Sequence, residues 1–290
     1  MSEFNVATVK QLRQNRGTGR MNVTDDNFSA RQKELRAGLE KQMDAAVANG
    51  CHTGIITSEG LHSYRREDVT HFIDWLSPWF KSFTVIAVLR RQDLQARSLY
   101  MNQVKLYTTR FNPLADHRML DHHYVLGPWV RMLGRSHIRP LLLPDSTPEP
   151  RDLLADFCAA TGLDAFYDAA QPNTTPRNQT LDGRALALLR EMNARAPEPD
   201  RTVPRPGRKR LERLLTPAFA EAVKIMPSRA EAEAFYANYQ EGNEKIRRRY
   251  FRNRETLFSE DFSIYPETAY YPEITTDFLL DVIQRLVETP

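Results

Sequence analysis

The chain has 290 residues, enough for one large α/β domain or two smaller ones, and its 41% hydrophobic and 27% charged content excludes a disordered chain. A net charge of only +3 makes nucleic acid an unlikely partner. Cys51 and Cys158 lie far apart with no histidine at metal-ligand spacing, and neither a membrane-spanning apolar run nor a signal-peptide core is present, so the expectation is a cytoplasmic protein with reduced thiols.

Residues 1–26 are polar and read as a flexible leader. Gly17 and Gly19 flank Thr18, but no buried strand precedes them, so this is not a phosphate loop. Leu35, Leu39, Met43 and Val47 recur at helical spacing and predict a helix over 27–48, with Asn27 and Ser29 as cap candidates and Asn49-Gly50 as the stop. Residues 53–57 (Thr-Gly-Ile-Ile-Thr) read as a short strand that closes in Ser58-Glu59-Gly60-Leu61-His62. A crossover helix over 67–80 follows, then the uncharged run 83–89 (Phe-Thr-Val-Ile-Ala-Val-Leu), which reads as a strand buried on both faces of a parallel sheet. A strand–helix–strand unit is parallel and right-handed, so Ser58-Glu59 and Arg90-Arg91 are expected on one edge of that sheet. Ligands sit at such an edge in open α/β sheets.

A helix is predicted over 93–108. The pairs Asp116-His117 and Asp121-His122-His123 suggest a metal, yet neighbouring helical residues point about 100° apart and do not converge on one ion, so no metal is assigned. Tyr124, Leu126, Trp129, Val130 and Leu133 fit the buried side of a helix that Gly134 ends. Residues 138–143 form another predicted strand, whose Pro140 disfavours a fully paired central position. Helices follow over 151–161 and 181–194, separated by a polar turn at 173–178, and the Pro- and Arg-rich stretch 196–209 reads as an exposed loop. One long helix is predicted over 230–254, ending in Arg247-Arg248-Arg249-Tyr250-Phe251-Arg252, and a final amphipathic helix over 278–287. Its basic end either complements the helix dipole or binds an anion.

Residues 85–91 followed by Ser98 resemble the 3′-phosphate-binding motif of bacterial sulfotransferases that use 3′-phosphoadenosine 5′-phosphosulfate (PAPS), in which a strand ends in arginine and a serine follows eight positions later. The segments 56–61, 88–93, 98–105 and 242–251, with Tyr124, Trp129, Gly134, Asp156-Phe157 and Gly162-Leu163, extend the similarity over residues 45–265. The resemblance implies a three-layer α/β domain with a mostly parallel sheet, of the phosphate-loop nucleoside-triphosphatase and sulfotransferase type, over 27–290. Its helical C-terminal part, 176–256, would cover the ligand edge. It also implies PAPS as co-substrate and a hydroxyl of a glycan or small molecule as acceptor; a homo-oligomer is left open.

For the site, Arg90 and Ser98 would hold the 3′-phosphate, with Arg91 in reserve and Arg248 or Arg249 assisting. A guanidinium fork suits a phosphate, which it binds bidentately. Glu59 would be the base for the acceptor hydroxyl and His62 the alternative; Glu59 as a simple turn cap is the competing reading. The family's phosphate loop, a Lys-x-Gly-Thr-Thr type segment ahead of the second strand, has no counterpart in residues 1–50. A shortened chain, a loop supplied by another chain, and a protein that binds an anion or a partner without catalysis are the three readings this leaves.

Overall fold

The computed structural model describes residues 25–167, 181–195, 211, 214, 215 and 224–288. The leader motif at 16–20, the polar turn at 173–178 and the loop at 196–209 lie outside the described residues. In chain order the elements are α1 (Asp25–Ala48), α2 (Arg66–Leu76), β1 (Val85–Leu89), α3 (Gln92–Leu106), α4 (His122–Leu133), β2 (Ile138–Leu142), α5 (Leu153–Thr161), α6 (Asp164–Tyr167), α7 (Gly183–Arg195), α8 (Arg229–Ala237), α9 (Gln240–Tyr250) and α10 (Thr276–Glu288). They fall into two compact units, one made of residues 25–84 and 125–138 and the other of the remaining described residues.

The expected three-layer α/β architecture does not form. Among the described residues the sheet has two strands, β1 and β2 in parallel, and the rest is mostly helical. Residues 53–57 carry strand-forming side chains but join no sheet, and Ile55 is left 39% exposed. A β-strand is stabilised by the neighbour it hydrogen-bonds to, so strand-like composition without a partner stays irregular. Gly54 serves a local packing role instead: a Cβ there would stand 2.7 Å from the Phe80 ring. Nor is β1 enclosed on both faces, since Val88 is 48% exposed. Pro140 sits within β2, an edge strand that tolerates its missing N–H.

In the first unit, two indoles tie α1 to α2. Trp75 Nε1 donates to Glu40 at 2.8 Å and Trp79 Nε1 to Asp44 at 2.7 Å. Arg36 also donates to Glu40, and these hydrogen bonds, Arg36 first and Trp75 second, hold that carboxyl below the usual range. Beneath them Val69, Ile73, Leu76, Leu126 and Trp129 are buried, and Tyr64 stacks on Trp129 at 6.1 Å.

In the second unit the apolar centre lies among α3, α7 and α10, where Tyr100, Val104, Leu186, Leu189, Phe278 and Val282 are all nearly inaccessible. Asn193 Nδ2 donates to the carbonyls of Val104 and Thr108, both at 2.9 Å, which ties α7 to the C-terminal end of α3. On α10, Phe278 and Val282 face this core while Leu280, Ile283 and Val287 are exposed. The long helix expected over 230–254 is broken between α8 and α9. Tyr239 is buried with its ring 5.4 Å from Phe235 and its hydroxyl donating to Asp116. The chain meets that constraint with tight i→i+3 bonds from Asn238 N to Phe235 O and from Tyr239 N to Tyr236 O, then starts again as α9.

Candidate anion site

Parallel pairing brings the ends of β1 and β2 to the same rim. Leu89 O accepts from Leu143 N at 2.9 Å; one step on, Arg91 N donates to Ser146 Oγ, also at 2.9 Å. The next residue, Gln92, begins α3, so the strand end and a helix N-terminus, with its partial positive charge, adjoin.

The two arginines diverge here. Arg90 turns to the rim, where Nε donates to Asp145 Oδ2 at 2.9 Å and Nη2 donates to the same oxygen. Its side chain is 30% exposed and that of Asp145 41%. Arg91 is enclosed: Nε and Nη2 donate to the two oxygens of Asp93 at 2.8 and 3.0 Å, while Nη1 donates to the carbonyls of Ser259 and Asp261 at 2.8 and 2.7 Å. Its guanidinium also lies over the Phe262 ring at 4.3 Å. Burial disfavours the charge on Arg91, but the hydrogen bonds and the charge of Asp93 outweigh it and hold its pKa above the ordinary arginine value. Tyr265 donates its hydroxyl to Asp93 as well, and burial first, then the Asp93 charge, pushes the phenol pKa up. Arg91 is therefore the post that ties α3 to the segment 259–265, and its bonds are all to protein.

Ser98 is on α3, six residues beyond Gln92 and so roughly 9 Å further along the axis. It is half-buried and does not hydrogen-bond to Arg90. His122 at the start of α4 closes the same junction: its Nε2 meets Arg90 O at 2.8 Å and its ring packs edge-on against Phe258. Burial drives the His122 pKa down, against the pull of the Arg90 carbonyl and Asp121. The amides of Gln92 and Asn243 bond reciprocally at 2.7 and 3.1 Å, which fixes α9 beside α3. Gly242 lets α9 come close to the start of α4, because a Cβ there would stand 2.8 Å from Asp121 Oδ1. That oxygen accepts from Tyr124 N and caps α4.

Across this contact His123 is pulled down mainly by burial, with Asp121 opposing and Lys245 and Arg249 adding to the effect. Arg249 is exposed and stands within electrostatic reach of His123, next to the histidine that touches Arg90. Arg248 is instead drawn to Glu244, which Arg247 also grips, and those hydrogen bonds lower the Glu244 pKa to about 2. The second unit thus places Arg90 before the start of α3, with Arg249 near the start of α4, while Ser98 lies further along α3. Glu59 and His62 belong to the first unit, exposed in a short turn that Ser58 caps by accepting from Gly60 N at 3.1 Å. The Glu59 carbonyl faces His62 Nδ1 there. No group of three His, Cys, Asp or Glu side chains among the described residues has the arrangement of a metal site.

Sequence reasoning missed Asp145 and Ser146. Their signal was position: residues just after a strand parallel to β1 arrive at the same rim. It missed His122 as a contact of Arg90 too, and only long-range geometry identifies it. Two clefts among the described residues lie elsewhere, one lined by Tyr100, Leu181 and Leu186 and the other by Met226, Ile264 and Tyr270; neither includes Arg90, Ser98 or Arg249. The rim has the chemistry of an anion seat on an open surface. No helix among the described residues is long and apolar enough to cross a membrane.

No family model matches the chain, and no solved structure matches it. It is similar to an uncharacterized protein of Archaeoglobus fulgidus, 23% identical over 238 residues that cover 81% of this chain. The chain spans 62% of the length of that relative.

Proposed function

We propose that this chain binds a 3′-phosphorylated adenosine nucleotide of the PAPS class at the rim beyond β1 and takes part in sulfuryl transfer to a hydroxyl of a glycan or small molecule. The observation that carries the reading is Arg90: a part-exposed guanidinium at the end of a parallel strand, one residue before a helix N-terminus. Among the described residues its guanidinium donates to a single carboxylate oxygen, so a phosphate meets a donor fork with capacity to spare. Ser98 offers a hydroxyl further along α3, and Arg249 adds positive charge beside the start of α4.

In the reaction, the acceptor oxygen gives up its proton and forms a bond to sulfur. The bond between sulfur and the bridging phosphate oxygen breaks, and 3′-phosphoadenosine 5′-phosphate departs with the electron pair. The resemblance implies Glu59 as the base, with His62 as the alternative.

Titration calorimetry with 3′-phosphoadenosine 5′-phosphate tests the binding step. Arg90→Ala is expected to weaken affinity by roughly 10- to 100-fold, the loss of one or two charge-assisted hydrogen bonds. Unchanged affinity in that variant rejects the reading. A second reading, anion binding without catalysis, draws on the pre-existing Arg90–Asp145 pair, which already accommodates a negative group at this position. Nucleotide binding without transfer of labelled sulfate to any acceptor would select it.

A further inference from the structure

Asp145 holds the position at Arg90 that an anionic ligand would take. Two donors of one guanidinium converge on its Oδ2, and its Oδ1 accepts from Ser146 Oγ at 3.0 Å. The Ser146 hydroxyl in turn accepts from Arg91 N, and Arg91 is locked to Asp93, so Asp145 is steered toward Arg90 from a fixed base. Unlike the enclosed Arg91–Asp93 pair, this contact is open to water, with both side chains about a third exposed or more. Surface ion pairs of this kind hold only weakly and exchange partners readily.

We infer that Asp145 is a built-in competitor of the anion site: an anionic ligand must replace its carboxylate on Arg90 before it can bind there. The inference rests on the reading of Arg90 as the phosphate ligand. It adds a positioning residue that acts on the nucleotide through Arg90 without bonding to it. Like charges repel, so a phosphate beside an ionised Asp145 is opposed by it even after the exchange. Removing the carboxylate charge relieves both the competition and the repulsion. A structural role for Asp145 would predict the reverse, because loss of an orienting partner weakens a site.

The experiment measures calorimetric affinity for 3′-phosphoadenosine 5′-phosphate and for inorganic phosphate at pH 7.5 in the full chain. The wild type is compared with Asp145→Asn, Asp145→Ser and Arg90→Ala, with folding of each checked by circular dichroism. Asp145→Asn, which keeps an acceptor oxygen, is expected to bind the nucleotide about fivefold or more tightly, with Asp145→Ser in the same direction. Tightening should be larger for phosphate at pH 7.5, where it is mostly a dianion and is repelled more strongly by Asp145, than at pH 5.5, where it is mostly a monoanion. Unchanged or weaker binding in both Asp145 variants, with binding lost in Arg90→Ala, overturns the role of Asp145 and leaves the site standing. Binding that survives Arg90→Ala overturns the site itself.

Discussion

At the end of β1 one guanidinium stands at the rim with 30% of its side chain exposed, and the next is enclosed with 3%. Both pair with an aspartate: Arg90 with Asp145 across the sheet, Arg91 with Asp93 two residues along its own chain. The enclosed pair is saturated by further partners from residues 259–265, whereas the rim pair is not. The same side chain is thus an enclosed structural post in one position and a part-exposed, singly paired cation in the other, and solvent access separates the two. Breaking a buried pair leaves a charge stranded in protein, while an exposed one is simply hydrated.

The largest expected effect follows from the enclosed pair. Asp93→Ala should lower unfolding free energy by about 3–5 kcal/mol in urea titrations, because Arg91 would keep its charge without a counterion. The double variant Arg91→Met with Asp93→Leu should recover much of that loss; a double variant as unstable as Asp93→Ala would mean that the surrounding carbonyls, not the ion pair, dominate. At the rim, the 10- to 100-fold affinity loss in Arg90→Ala should come with a stability change below about 1 kcal/mol. A larger change would erase the contrast between the two arginines.

Acidification sharpens the comparison at the junction. His122 is neutral in the fold with its pKa driven down by burial, so the unfolded chain binds the proton more readily. Its contribution to stability is present above the unfolded histidine pKa of about 6.5 and is lost as pH falls below it. Melting temperature should therefore drop between pH 7 and pH 5, and His122→Gln should flatten that slope. An identical slope in the variant would assign the acid sensitivity elsewhere. Smallest of all, Ser98→Ala should weaken the nucleotide by about 2- to 10-fold, the range of one ordinary hydrogen bond, and leave stability nearly unchanged.

Periodicity in the sequence located most helices, since α2, α4 and α10 each bury one stripe: Val69, Ile73 and Leu76 on α2, for instance, recur at helical spacing. Both strands of the sheet were legible as short apolar runs. The larger sheet was implied by the resemblance, and the one extra strand read from residues 53–57 has a composition that suits a strand but a pairing that depends on distant chain, which local pattern cannot report. The interruption at Asn238 and Tyr239 was hidden for a similar reason, because the contact that imposes it is with Asp116, more than a hundred residues earlier. The apolar run 83–89 placed Arg90 and Arg91 together at a strand end and the spacing to Ser98 favoured Arg90, yet which one faces solvent is decided by carbonyls at 259 and 261 and by Asp145. Local sequence carried the elements and the neighbourhood of the site. Long-range contacts carried its electrostatics.

The tryptophan–carboxylate ties on α1 have a practical corollary. Trp75, Trp79 and Trp129 are the three tryptophans of the chain, and all belong to the unit built from residues 25–84 and 125–138. Indole emission therefore reports on that unit alone, while helical ellipticity reports on both units together. Superimposable melting curves from the two signals would reveal a single cooperative transition; a lag between them would reveal which half lets go first.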